Sequence, residues 1–192
     1  MTVDAIPHRR SLPAAVWGML VLIASESMLF AAFIASYFYL RFHNVHWPPP
    51  GVPKPALSVP ILLLAVLVST SVPMQLASRA ARAGRVAATR AFVVAALFVQ
   101  SGYFAYQIFD YRIELHRFDA TTGSYGSIYY TLLGADHAHV ALGILFDLWL
   151  LGKLARGLTR YRANAAQAIA WYWHAVNLIT IAVIGTLLSA RA

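Results

Sequence analysis

Apolar residues dominate this chain in five long stretches, and the charged residues fall almost entirely between them. The first stretch, 14–40, contains a single charge, Glu26. The second, 55–78, has none, and Arg79, Arg82 and Arg85 follow it. The third, 88–109, carries no charge after Arg90. A polar segment then runs to Ser124, with Arg112, Glu114, Arg117 and Asp119 in it. The fourth stretch, 125–151, holds Asp136 and Asp147, and Lys153, Arg156, Arg160 and Arg162 make the next loop. The fifth covers 165–189. About 20 apolar helical residues cross the ~30 Å hydrocarbon layer of a bilayer. The pattern therefore predicts an all-α integral membrane bundle of five transmembrane helices in one membrane domain, 1–192. The prolines of His43-Asn44-Val45-His46-Trp47-Pro48-Pro49-Pro50-Gly51 forbid continuation of the first helix.

Composition supports the same picture. Of 192 residues, 60% are hydrophobic and 11% charged, where a soluble domain carries about a quarter charged. The net charge of +8 could point to nucleic acid, but the charges sit in short runs beside apolar stretches. Lipid head groups and topology account for them there, and no nucleic-acid partner is expected. The absence of cysteine excludes disulfides, iron–sulfur clusters and thiolate metal sites. Arg9 and Arg10 precede the first apolar run as in a secretory signal, but the run is too long for one, so a retained helix is expected. Arg9, Arg10, Arg79, Arg82, Arg85, Arg90, Lys153, Arg156, Arg160 and Arg162 share one side of a five-span protein. Arg41, Lys54, Arg112, Arg117 and Arg191 lie on the other. The richer side faces the cytoplasm, which predicts the N-terminus inside and the C-terminus outside.

Polar residues in mid-span are the candidate chemistry. A central charge costs roughly 2.5–3.5 kcal/mol on insertion scales, so Glu26 must be protonated, paired or turned toward other helices. Its own helical neighbours Leu22, Ile23, Leu29 and Phe30 cannot pair with it. The fourth span places Asp136 and His139 on neighbouring faces one turn apart, with His137 pointing elsewhere. The fifth places His174 and Asn177 three apart near its centre. We expect a buried hydrogen-bonded cluster of Glu26, Asp136, His139, His174 and Asn177. Such groups also serve as packing glue, at roughly 0.6 kcal/mol per hydrogen bond. Asp147 reads as structural, and Trp171-Tyr172-Trp173 as packing or an interface anchor. Ligation of haem or copper needs convergent histidines, and His137 and His139 diverge. No catalytic residue and no metal ligand is assigned. Two other readings use the same residues: a haem-binding membrane cytochrome built on His137, His139 and His174, and a small transporter. Transporters place interrupted helices at the midplane, whereas Pro73 lies near the cytoplasmic end of its span.

Specific segments carry a resemblance. Trp17 to Phe30, with its Ala24-Ser25-Glu26, resembles the first conserved helix of the short form of cytochrome c oxidase subunit III. Trp47-Pro48-Pro49-Pro50, Gln107 to Tyr111, Tyr125 to Tyr130 and Asp136 to Gly143 are similar to that family in the same order. Ala170-Trp171-Tyr172-Trp173-His174-Ala175-Val176-Asn177 resembles its last helix. The resemblance implies a non-catalytic subunit of a bacterial haem-copper terminal oxidase, multi-pass in the plasma membrane. Haem and copper would sit in the partner subunits I and II, with none in this chain. Subunit I would be the main contact, with subunit II, further small subunits or a respiratory supercomplex beyond it. The subunit would stabilise subunit I, support proton uptake and bind phospholipid. Glu26, His139 and His174 match family positions. The family's usual His-Gly-Leu-His stands here as Asp136-His137-Ala138-His139, and its acidic residue three after the last-helix histidine is Asn177.

Overall fold

A computed structural model describes residues 12–121 and 123–191; Arg9 and Arg10, used for the orientation, lie outside the described residues. The helices are α1 (Ala14–His43), α2 (Ser58–Ser69), α3 (Ser71–Arg82), α4 (Val86–Arg117), α5 (Gly123–Leu154) and α6 (Arg160–Leu188), closed by a 3-10 turn, Ser189–Arg191. No strand occurs among the described residues. With α2 and α3 taken as one span, 5 helices among the described residues are long and apolar enough to cross a membrane. This is the predicted all-α architecture.

Two differences from the expected boundaries have physical causes. The second span is broken at Thr70, where the chain tightens into a turn with Thr70 N donating to Leu67 O at 3.0 Å. Pro73 has no N–H for the Ser69 carbonyl, and its ring clashes with that turn, so the regular ladder fails there. It resumes with Met74 N donating to Thr70 O at 3.2 Å. The second difference is length. α4 continues through Asp110, Arg112 and Glu114, which the charge pattern placed in a loop. At 1.5 Å per residue its 32 residues span roughly 48 Å, so its last turns pass beyond the hydrocarbon. Hydropathy marks where lipid ends, and a helix needs no lipid to continue. Arg117 donates to Glu114 at 3.1 Å across the final turn, and the helix ends where Phe118 turns extended.

α6 is the axis of the bundle. It packs against α1, α3 and α5, and against α2 as well, while α4 lies between α3 and α5. The core contains Leu67, Met74, Val93, Val140, Leu150 and Trp173, each fully buried. Gly84 (φ +74) makes the short α3–α4 turn, in a left-handed conformation that side chains other than glycine rarely adopt. At the other end Trp47 of the α1–α2 linker packs edge-on between Tyr37 and Tyr125, at 5.4 and 5.0 Å. Arg191 donates to Pro55 O at 2.7 Å and Lys54 to Arg191 O at 3.2 Å, fastening that linker to the chain's end.

Candidate functional site: polar pairs between the helices

The mid-span polar residues do not form one cluster. They resolve into separate pairs, each joining two helices. Of the five expected members, Glu26 and His139 are joined to each other, at 2.9 Å between Oε2 and Nε2. Asp136, His174 and Asn177 bond to residues outside that set. The reason is the place of α6 in the bundle: α5 turns His139 toward α1, whereas α6 turns His174 and Asn177 toward α3, on another side of the axis.

Geometry fixes one proton of the Glu26–His139 pair. His139 Nδ1 lies 2.7 Å from Ala135 O, and a carbonyl only accepts, so Nδ1 carries a hydrogen. The Nε2–Oε2 contact must then hold one proton of its own. Either a neutral carboxylic acid donates to a neutral imidazole, or an imidazolium donates to a carboxylate. Both forms have the same total charge, but the ion pair places two charges in the membrane interior where the neutral pair places none. Phe30 lies edge-on to the imidazole at 5.1 Å. The side chains remain 27% exposed at Glu26 and 16% at His139, so the pair opens onto the outer surface of the bundle. Tyr172 Oη donates to His139 O at 2.8 Å, tying the same turn of α5 to α6.

Deeper in the bundle, Asp136 is fully buried and accepts from Thr180 Oγ1 at 2.7 Å. Its other oxygen, Oδ2, has no protein partner. His174 Nε2 lies 3.1 Å from Gln75 Oε1, and Asn177 Nδ2 donates to Ser71 Oγ at 2.7 Å. His137 is buried against the Tyr111 ring, 5.6 Å between centroids, and does not meet His139 or His174 through any described contact. Among the described residues no group of three His, Asp or Glu side chains is placed to hold a metal ion.

Asp147 and Trp173 make a further pair, with Trp173 Nε1 donating to Asp147 Oδ2 at 2.9 Å. The indole lies flat on the bare backbone of Gly143, where a Cβ would come 2.6 Å from Trp173 Cζ2. Of the aromatic run, Tyr172 and Trp173 are buried inside this chain, and Trp171 is partly exposed. Sequence reasoning missed Ser71, Gln75 and Thr180. The signal for the first two was present: Ser71 and Gln75 stand four apart in an uncharged span, a spacing that faces His174 and Asn177 across one helix contact.

Five apolar spans with polar side chains paired between them define a multi-pass membrane protein whose interior is specified by hydrogen bonds. Comparison with known proteins narrows this. The family model for cytochrome c oxidase subunit III matches residues 10–186. A probable cytochrome c oxidase subunit 3 of Nocardia farcinica is 32% identical over 179 residues, covering 91% of this chain and 87% of that protein. The corresponding protein of Mycobacterium tuberculosis is 30% identical over 169 residues, covering 86% and 82%. Cytochrome c oxidase subunit 3 of the earthworm Lumbricus terrestris is 30% identical over 174 residues, which cover 86% of this chain and 66% of the longer animal protein. The chain belongs to the cytochrome c oxidase subunit III family, a membrane subunit of the haem-copper oxidases.

Proposed function

We propose that this chain is the non-catalytic subunit III of a bacterial haem-copper terminal oxidase. It forms one membrane domain in the plasma membrane, with its N-terminus inside. It packs on subunit I, stabilises it and supports its proton uptake during turnover. Haem and copper belong to subunits I and II, and phospholipid fills the apolar clefts between this chain and its neighbours. The observation that carries the reading is the Glu26–His139 pair at 2.9 Å. It is a mid-span carboxyl held by an imidazole, partly open to whatever covers α1 and α5, and it holds a proton that either partner can carry.

Affinity purification of the chain from its host in mild detergent tests the assembly. A haem-copper subunit I should accompany it, and the preparation should show haem absorbance. Recovery of the chain without any haem-copper subunit overturns the reading. Glu26→Gln in the assembled oxidase tests the role of the pair. The initial rate of oxygen consumption should stay near that of the parent enzyme, while activity decays within fewer turnovers. An unchanged lifetime during turnover would remove the pair from that role and leave the assembly standing.

A further inference from the structure

On α4, Gln100, Tyr103, Gln107, Asp110 and Glu114 follow one another at spacings of three and four. At 100° per residue they occupy about 80° of arc, a polar stripe on one face of a membrane helix. Gln100, Tyr103 and Gln107 of this stripe are buried in the bundle. The stripe ends in open space. Asp110 and Glu114 line a pocket of roughly 260 Å³ at the end of the bundle that carries the α1–α2 and α4–α5 loops, with Lys54, Arg117, Tyr125 and Tyr129 around it. A second pocket of roughly 50 Å³ shares Asp110 and Tyr129 with the first and reaches inward to Gln107 and Leu133. From there Gln107 Nε2 donates to Tyr103 Oη at 2.9 Å. Tyr103 in turn lies within electrostatic reach of Asp136.

The inner end of this path is short of hydrogen-bond partners. Gln100 is fully buried and neither its oxygen nor its nitrogen meets a protein group. Asp136 Oδ2, on the neighbouring helix α5, likewise meets no protein group. A buried polar group left without partners costs roughly 1–3 kcal/mol on mutational scales, and two such side chains on adjoining helices would multiply that cost. Ordered water removes it. A water needs two to four polar partners and a space of about 10–15 Å³, and the pocket at Gln107 and Asp110, where the path begins, offers several times that.

We propose that the interior face of α4 lines a hydrated passage that leads from the pocket beside Asp110 and Glu114 inward to Gln100 and Asp136, its ligand a file of ordered water molecules. The passage opens at the end of the bundle that carries the α1–α2 and α4–α5 loops. It gives the buried carboxyl of Asp136 a route for proton exchange with bulk water.

The chain contains no cysteine, so a single introduced thiol is unique on this subunit. In the assembled oxidase in native membranes, Gln107→Cys is compared with Phe98→Cys, on the same helix but 81% exposed to lipid or a neighbour. The probe is the impermeant quaternary thiol reagent methanethiosulfonate ethyltrimethylammonium, which needs a hydrated thiolate. Val45→Cys, 93% exposed in the α1–α2 linker, reports which side the reagent has reached. Gln107→Cys should react at least about tenfold faster than Phe98→Cys, and only from the side that labels Val45→Cys. The inner half is read in the unmodified complex by radiolytic hydroxyl-radical labelling, which marks side chains beside bound water. Tyr103 should be labelled about fivefold more than Tyr172, which is equally buried but satisfied by a backbone carbonyl. A Gln107→Cys as inert as Phe98→Cys overturns the passage, and so does a Tyr103 labelled no more than Tyr172. If Gln107→Cys fails to assemble, the labelling of the unmodified complex decides alone.

Discussion

The first and last spans of this bundle are nearly equal in length and apolarity, yet they stand in opposite relation to the core. Only 6% of the most apolar window of α1 is buried, against 50% for the span that begins α6. α1 presents Val21 and Met28, seven residues apart and mostly exposed, along an outward stripe. α6 presents Ala165, Ala166, Ala168 and Ala170, all buried, where small side chains let neighbouring helices approach. In water such an apolar outer face would be driven inward. In a bilayer, lipid tails solvate it as well as protein does, so hydrophobicity cannot decide which helix is central. Close packing and hydrogen bonds decide it, and those are concentrated on α6.

Breaking the central contact of α6 should therefore cost most. Trp173→Ala removes the largest fully buried side chain and leaves Asp147 without its donor. Large-to-small changes in packed interiors cost roughly 3–5 kcal/mol, and the stranded carboxyl adds to that. Thermal unfolding of the purified complex should show early loss of this subunit. Gly143→Val attacks the same contact from the other side. The indole is pinned by its hydrogen bond and cannot give way to a Cβ placed 2.6 Å from it. A cost of about 1–3 kcal/mol is expected. Normal thermal stability of Gly143→Val would show that the α5–α6 contact does not hold the bundle.

A smaller effect is expected at the next layer. Thr180→Val keeps the shape and removes the only described hydrogen bond to the buried Asp136. A loss of roughly 1–3 kcal/mol follows if the carboxyl finds no substitute donor. If the interior is hydrated as proposed, water replaces the hydroxyl and the loss falls to about 1 kcal/mol or less. Glu26→Leu should cost less still. Its partner His139 keeps the Nδ1 bond to Ala135 O and is partly exposed, so the loss is that of one interhelical hydrogen bond, about 0.6 kcal/mol.

How far the sequence anticipated this layout depends on which force wrote the signal. Span number follows from hydropathy because lipid tolerates only long apolar segments, and 5 helices among the described residues match that number. The helix ends do not follow, since α4 continues through Asp110 and Glu114, where the charge pattern put a loop. The residues of the site were largely visible: a glutamate or aspartate in mid-span is conspicuous on cost alone. Their partners were not. Pairing Glu26 with His139 rather than with His174 depends on how α1, α3 and α5 are arranged around α6. That arrangement is settled by contacts such as the indole of Trp173 on Gly143, which leave no periodicity in the chain. The same limit hid Thr180, an ordinary residue whose meaning comes only from facing Asp136.

The smallest effect on this chain's own stability is expected from the double substitution Val21→Ala, Met28→Ala on the bare face of α1. Both side chains are largely exposed, so the fold loses almost no internal packing, and the isolated subunit's unfolding should move by less than about 0.5 kcal/mol. The assembled oxidase is a different matter. A face that does not pack on its own chain, next to a carboxyl–imidazole pair that opens onto the same side of the bundle, is where subunit I would be met if α1 is the contact helix. Shortening both side chains would then loosen the complex without loosening the subunit. Native mass spectrometry in graded detergent reads the two effects apart. Loss of this chain from the complex at lower detergent, with its own melting unchanged, assigns the bare face of α1 to the neighbour. Unchanged assembly assigns that face to lipid.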